Sequence, residues 1–235
     1  MTLLSVAGLN SFYGRAQILF DVAFSVGQGE AVALLGRNGA GKTTTLRSVM
    51  GLVARTRGSV VFAGLPLAGL PPHAIARLGL GYVPEDRRIF TELTVAENLE
   101  VGRQPARQGA PLWNEARVFE LFPQLAELRD RPAGRMSGGE QQMLALARTL
   151  MGNPRLILLD EPSEGLAPVI VEQMGQAITK LKREGLTVVL SEQNLRFAAW
   201  VSDRALIIEK GRIQFDGTMA ALSASESTRQ AYLSV

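Results

Sequence analysis

The chain has 235 residues, 46% apolar and 20% charged. That is long enough to bury roughly 70% of the surface its unfolded form exposes, as one α/β domain carrying an insertion would. It has no cysteine, which excludes a disulfide framework, a zinc–thiolate centre and a cysteine nucleophile. The net charge is only +3, and arginines such as Arg55, Arg103, Arg155 and Arg204 are scattered, so no nucleic-acid partner is expected. No apolar run approaches the roughly 18 residues of a membrane span, and Met1–Leu4 runs into a strand-like segment without a charged signal head. A soluble intracellular protein is expected.

In chain order, residues 1–28 alternate like edge strands, with Leu4, Val6 and Leu9 followed by Leu19, Val22 and Phe24. The mostly apolar run Glu30–Leu35 predicts a buried strand, and Thr44–Met50 a helix start. Val60–Phe62 is a further short strand, Ala63–Pro66 and Pro71–His73 read as turns, and Gly81–Val83 is a strand ending at Pro84. From about residue 91 to 150 the pattern turns helical. Thr94 and Glu97 have the spacing of a capping box, and Val118, Leu121, Phe122, Leu125 and Leu128 recur at helical intervals. Leu156–Leu159 and Thr187–Leu190 are continuous apolar runs suited to a doubly covered parallel sheet. Ala205–Ile208 and Ile213–Phe215 complete it. The alternation predicts a mostly parallel α/β core over 1–86 and 151–235, with a helical insertion over 87–150.

Between the strand at 30–35 and the helix at 44–50 lies Gly36-Arg37-Asn38-Gly39-Ala40-Gly41-Lys42-Thr43, which fits G-x-x-x-x-G-K-[ST], followed by Thr44. The glycines let successive backbone N–H groups point inward as an anion nest, and the helix adds its positive end. Lys42 is placed to reach the β- and γ-phosphates of a nucleoside triphosphate, and Thr43 to take a position on Mg²⁺. Leu156–Leu159 ends in Asp160 and Glu161, one acid for Mg²⁺ and one to polarise an attacking water. Ser137-Gly138-Gly139-Glu140 forms a second capping box, whose paired glycines cost roughly 1 kcal/mol each against alanine. That cost points to a close backbone approach, and the glycine-rich helix start to a second anion site.

The run from phosphate loop to Ser-Gly-Gly-Glu to Leu-Leu-Asp-Glu resembles the ATP-binding subunit of ATP-binding-cassette (ABC) transporters over essentially the whole chain. The resemblance implies the ABC ATPase fold: a P-loop NTPase core, an antiparallel β edge subdomain and a helical insertion. It implies ATP and Mg²⁺ as ligands, and a dimer with a second cassette subunit, identical or different. There Ser137, Gly138, Gly139 and Glu140 of one chain cap the ATP held by the other. By the same resemblance Tyr13 matches the aromatic that stacks on adenine, Gln193 a residue touching the γ-phosphate and Glu85 a residue at Mg²⁺, while 163–167 matches a loop crossing the dimer interface.

The segments Val83–Phe90, Met136–Met143, Gly165–Pro168, Glu192–Asn194 and Ala231–Leu233 are similar to the LivF-type branch, subunits of branched-chain amino-acid importers. This implies two membrane-spanning permease subunits, an outside solute-binding protein and a place at the cytoplasmic face of the inner membrane. Urea or short-chain amide importers use related subunits, and a cassette ATPase acting on DNA or ribosomes is a more distant alternative. The interval from Thr43 to Ser137 is too short for the coiled coil such proteins carry, and there is one phosphate loop. Three positions depart from the wider family: Glu85 replaces glutamine, Gln193 histidine and Ala167 aspartate. They lead to the expectation of a heterodimer with an orthodox partner, in which the site using Lys42 and Glu161 is the slower or more regulatory one and the site completed by Ser137 the faster. Phe90, Leu93 and Leu99 are candidates either for a groove wall receiving a permease helix or for the insertion's core.

Overall fold

The computed structural model describes residues 1–233. Strands β1 (Thr2–Tyr13) and β2 (Ala16–Gly27) form a hairpin, followed by β3 (Ala31–Leu35) and helix α1 (Lys42–Val49). Then come β4 (Arg55–Phe62), β5 (Leu65–Pro66), α2 (Pro72–Arg77) and β6 (Leu80–Val83). The helical stretch holds α3 (Val95–Gly102), α4 (Glu115–Leu121), α5 (Pro123–Glu127) and α6 (Gly138–Leu150). β7 (Leu156–Asp160), α7 (Pro168–Arg183), β8 (Thr187–Glu192) and α8 (Leu195–Val201) follow. β9 (Arg204–Glu209), β10 (Arg212–Thr218), α9 (Met219–Ala224) and α10 (Glu226–Leu233) complete the described chain.

The strands divide into two sheets. One is antiparallel, in the order β2-β1-β4-β5; the other runs β10-β9-β3-β8-β7-β6 and is parallel except for the β9–β10 pair. Every residue of β3, β7 and β8 is buried, as both faces of the six-stranded sheet are covered. Successive side chains of a strand point to opposite faces. Thus Ala31, Ala33 and Leu35 pack into one core with α3 to α8, while Val32 and Leu34 enter a second core under α1 and the antiparallel sheet. Burying each such valine or leucine contributes about 1.5–3 kcal/mol, and the two cores clamp the central sheet between them.

The helical stretch shares the first core: Val95, Leu99, Val118, Phe122 and Leu144 cluster with Ile157 and Val188 of the sheet. Its apolar series at 118–128 is split into α4 and α5, because Pro123 has no N–H to continue the ladder at Phe122. Pro71–His73, read as a turn, instead opens α2, with Pro72 in the first helical turn where its missing N–H is harmless. Both capping boxes form. Thr94 and Ser137 accept from the N–H of Glu97 and Glu140, and each glutamate accepts from its cap residue in return.

Candidate functional site

β3 and β7 deliver their C-terminal ends to the same edge of the parallel sheet, and the chain turns there from β3 into α1 through residues 36–41. The glycines in that turn answer to geometry. Gly41 sits at φ 116°, the helix N-cap, and a Cβ there would stand 2.8 Å from the Leu19 side chain. A Cβ on Gly36 would stand 2.4 Å from the Ile208 carbonyl oxygen. Lys42 curls back into its own loop, where its Nζ donates to the carbonyls of Gly36 at 2.8 Å and Arg37 at 3.2 Å. It also pairs with Glu161 Oε1 at 3.0 Å, with both side chains nearly sealed from solvent.

The end of β7 supplies the acids. Asp160 is fully buried and accepts from three hydroxyls: Thr43 Oγ1 at 2.9 Å, Ser191 Oγ at 2.7 Å and Tyr82 OH at 3.0 Å. Glu161 follows with φ 47°, a left-handed conformation uncommon outside glycine. Its N–H is held by the carbonyl and the hydroxyl of Ser191, at 3.1 and 3.0 Å. Gln193 Nε2 donates to Glu161 Oε2 at 2.7 Å and to Glu164 Oε2 at 3.4 Å. Burial works to raise the Glu161 carboxyl. The bonds it shares with Glu164, Gln193 and Lys42 outweigh burial and hold it below the ordinary carboxylate range. Glu164, bonded to Glu161 and crowded by its charge, is pushed up to about 7.

Lys42, Thr43, Glu161 and Glu164 open onto one cavity of about 450 Å³, also lined by Tyr13, Ile18, Asn38, Gly39, Gly41, Thr44 and Glu85; Asp160 and Gln193 do not line it and connect to it through Thr43 and Glu161. Tyr13 is half exposed at its mouth. Motif reasoning missed three supports of this cavity. Tyr82, whose phenol is raised by burial and by the Asp160 charge, bonds both Asp160 and Arg47. Ser191 orients Asp160 and Glu161 together. Glu192 is almost fully buried and accepts from the N–H groups of Ser163, Gln193 and Asn194, each at 3.1 Å. It ties the loop after β7 to the loop after β8, and burial raises its carboxyl despite those bonds. The signal that could have found it is an acid closing an otherwise apolar strand.

The model of the ABC transporter family matches residues 19–164. A branched-chain amino acid transport ATP-binding protein, BraG of Pseudomonas aeruginosa, is 46% identical over 98% of this chain and 99% of its own length. The chain belongs to the ABC transporter family. Other relatives include the lipopolysaccharide export ATP-binding protein LptB of Haemophilus influenzae, 36% identical over 99% of this chain and 98% of that protein. The probable branched-chain amino acid transport protein LivF of Archaeoglobus fulgidus is also 36% identical, over 95% of each chain. Among solved structures, an ABC transporter cassette in its ADP conformation superposes with a TM-score of 0.79 at 26% identity, covering 100% of this chain and 95% of that one. The fold is that of ABC ATPase cassettes, which bind nucleotide and hydrolyse ATP to drive transport. No helix among the described residues is long and apolar enough to cross a membrane.

In this cassette the Ser-Gly-Gly-Glu segment stands apart from the cavity, and none of Ser137, Gly138, Gly139 and Glu140 lines it. Ser137 is exposed at the tip of α6. The two glycines already meet neighbours within the chain. A Cβ on Gly138 would stand 2.9 Å from the Arg87 guanidinium, and one on Gly139 would stand 2.8 Å from Ile170. Arg87 and Arg88 both have positive φ in the loop from β6 to α3. Phe90 is half exposed and lines a groove of about 550 Å³ with Leu52, Pro72, Tyr82, Val101 and Arg148. Leu99 is buried in the core and Leu93 does not line that groove, so of the three candidates only Phe90 forms its wall.

Proposed function

We propose that this cassette is the ATP-hydrolysing subunit of an importer for branched-chain amino acids, working at the cytoplasmic face of the inner membrane. One observation carries the reading: Lys42, Thr43 and Glu161 line a single cavity, with Asp160 bonded to Thr43 and Gln193 to Glu161, in a chain that is 46% identical to BraG end to end. Its partners in this reading are a second cassette subunit, two permease subunits and an outside solute-binding protein. Residues 87–150 serve as the insertion that meets the permease.

The phosphates of ATP lie along residues 36–44 with the adenine on Tyr13. The Lys42 ammonium leaves Glu161 for the β- and γ-phosphates, an exchange of one anionic partner for another. Released from that pair, Glu161 accepts a proton from the attacking water as the γ-phosphoryl is transferred. Gln193, now bonded to Glu161, turns its N–H to the γ-phosphate; it can donate but carries no charge. Thr43 Oγ1 and Asp160 Oδ1, 2.9 Å apart, form a hard-oxygen pair suited to Mg²⁺, with Glu85 nearby on the cavity wall. Bound there, Mg²⁺ neutralises charge on the β- and γ-phosphates. Ser137 to Glu140 cap the ATP of the partner subunit, which fits their position away from this chain's cavity.

The test is purification of the tagged chain from its native membranes with ATP and vanadate present. Co-purification of a second cassette, two polytopic permeases and an amino-acid-binding protein supports the importer. Recovery of lipopolysaccharide-export components, of urea- or amide-binding proteins, or of no membrane protein overturns the cargo and leaves the ATPase chemistry to stand.

A further inference from the structure

The γ-phosphate end of the cavity carries more acid than the motifs require. Glu85, Glu161 and Glu164 all line it. Glu164 stands on the loop after β7, and Gln193 spans the gap between it and Glu161 with one amide nitrogen, at 2.7 Å to Glu161 and 3.4 Å to Glu164. Glu192 joins the two loops by accepting from the backbone N–H groups of Ser163 and Gln193. Glu164 is therefore kept against Gln193 although its own side chain is exposed.

Lys42 balances this acid by pairing with Glu161. Once its ammonium is drawn to the phosphates, Glu161 and Glu164 face the γ-phosphate with the Gln193 amide between them. Gln193 has two N–H bonds and three anionic claimants. A diphosphate ends short of this region; a triphosphate brings its terminal charge against it. The Glu164 carboxylate thus acts on ATP far more than on ADP.

We propose that Glu164 is a positioning residue of the hydrolysis site, which holds the Gln193 amide back from the γ-phosphate and weakens retention of ATP relative to ADP. The inference rests on the reading that the Lys42–Glu161 end of the cavity receives the γ-phosphate.

The experiment is calorimetric titration of the purified full chain, at about pH 8.5 so that Glu164 is ionised, with MgAMP-PNP, a non-hydrolysable triphosphate, and with MgADP. Glu164→Gln should tighten MgAMP-PNP by about three- to tenfold, the effect of one charge removed near a phosphate in a half-solvated cleft. MgADP should move by less than about twofold on the same reasoning. Glu164→Asp, which keeps the charge, should keep the wild-type ratio. Gln193→Ala should remove most of the gain in the double variant, since Glu164 acts through that amide. An unchanged ratio in Glu164→Gln, equal shifts for both nucleotides, or simple additivity with Gln193→Ala overturns the proposal. Lys42→Ala separates the two readings. Wild-type binding of both nucleotides by Lys42→Ala refutes the site, and Glu164's role with it. Lost binding there with an unchanged ratio in Glu164→Gln refutes Glu164 alone.

Discussion

Lys42 Nζ lies 3.0 Å from Glu161 Oε1, and the two side chains are 3% and 7% exposed. The cation proposed to hold phosphate is thus neutralised inside its own chain by the carboxylate proposed to activate water. Removing one partner of a buried pair strands the other charge, a loss of about 3–5 kcal/mol in well-sealed cases. Lys42→Ala should therefore destabilise the nucleotide-free chain by about 3 kcal/mol in urea unfolding, and Lys42→Ala with Glu161→Gln should recover most of it. Glu161→Gln alone should keep MgATP binding and lower hydrolysis at its own site by at least about 100-fold, read by phosphate release from a transporter whose partner cassette already carries the equivalent substitution.

The stability of the nucleotide-free chain should depend on pH through Glu164. Its folded-state value of about 7 lies above the ordinary 4.5, so the folded chain holds a proton that the unfolded chain has released. Its contribution is complete below pH about 4.5 and is lost as pH rises to about 7. Melting temperatures across that range should fall less steeply in Glu164→Gln. Glu192, also raised, contributes a slope of the same sign that survives in this variant.

Glu192 accepts three backbone N–H groups from two loops. Glu192→Ala leaves those donors without an acceptor and should cost about 2–3 kcal/mol in chemical unfolding. Because the same bonds fix Gln193, turnover of the folded variant should fall while hydrogen exchange at Ser163 and Asn194 accelerates.

Gly139 should tolerate alanine only if Ile170 yields. A Cβ there stands 2.8 Å from the Ile170 side chain, so Gly139→Ala should cost about 1–3 kcal/mol despite the better helix propensity. Combined with Ile170→Ala, the clash disappears, and the double variant should be more stable than the sum of the two singles predicts. A thermal-unfolding cycle of the four proteins measures the coupling.

From Glu85, Gln193 and Ala167 we propose that the two sites of a heterodimer are unequal. Glu161→Gln in this chain, assembled with wild-type partner, should cost far less ATPase than the equivalent change in the partner. Equal losses would remove the asymmetry.

Local chemistry made the nucleotide loop, the acids after β7 and both capping boxes legible in the sequence. Each rests on contiguous residues whose spacing already states a backbone geometry: glycines for a left-handed turn, an acid three residues after a hydroxyl, an apolar run ending in charge. Family and fold followed from the order of those motifs. The sequence was silent on relations that join distant residues. That Lys42 rests on Glu161, that Gln193 is shared by Glu161 and Glu164, and that Glu192 bolts two loops together depend on β3, β7 and β8 lying side by side in register. Helical periodicity across residues 118–128 gave no sign of the break at Pro123, nor could Phe90, Leu93 and Leu99 be sorted into groove and core. Which face of a segment is covered is decided by what packs on it, and that is settled only when the whole chain closes around the sheet.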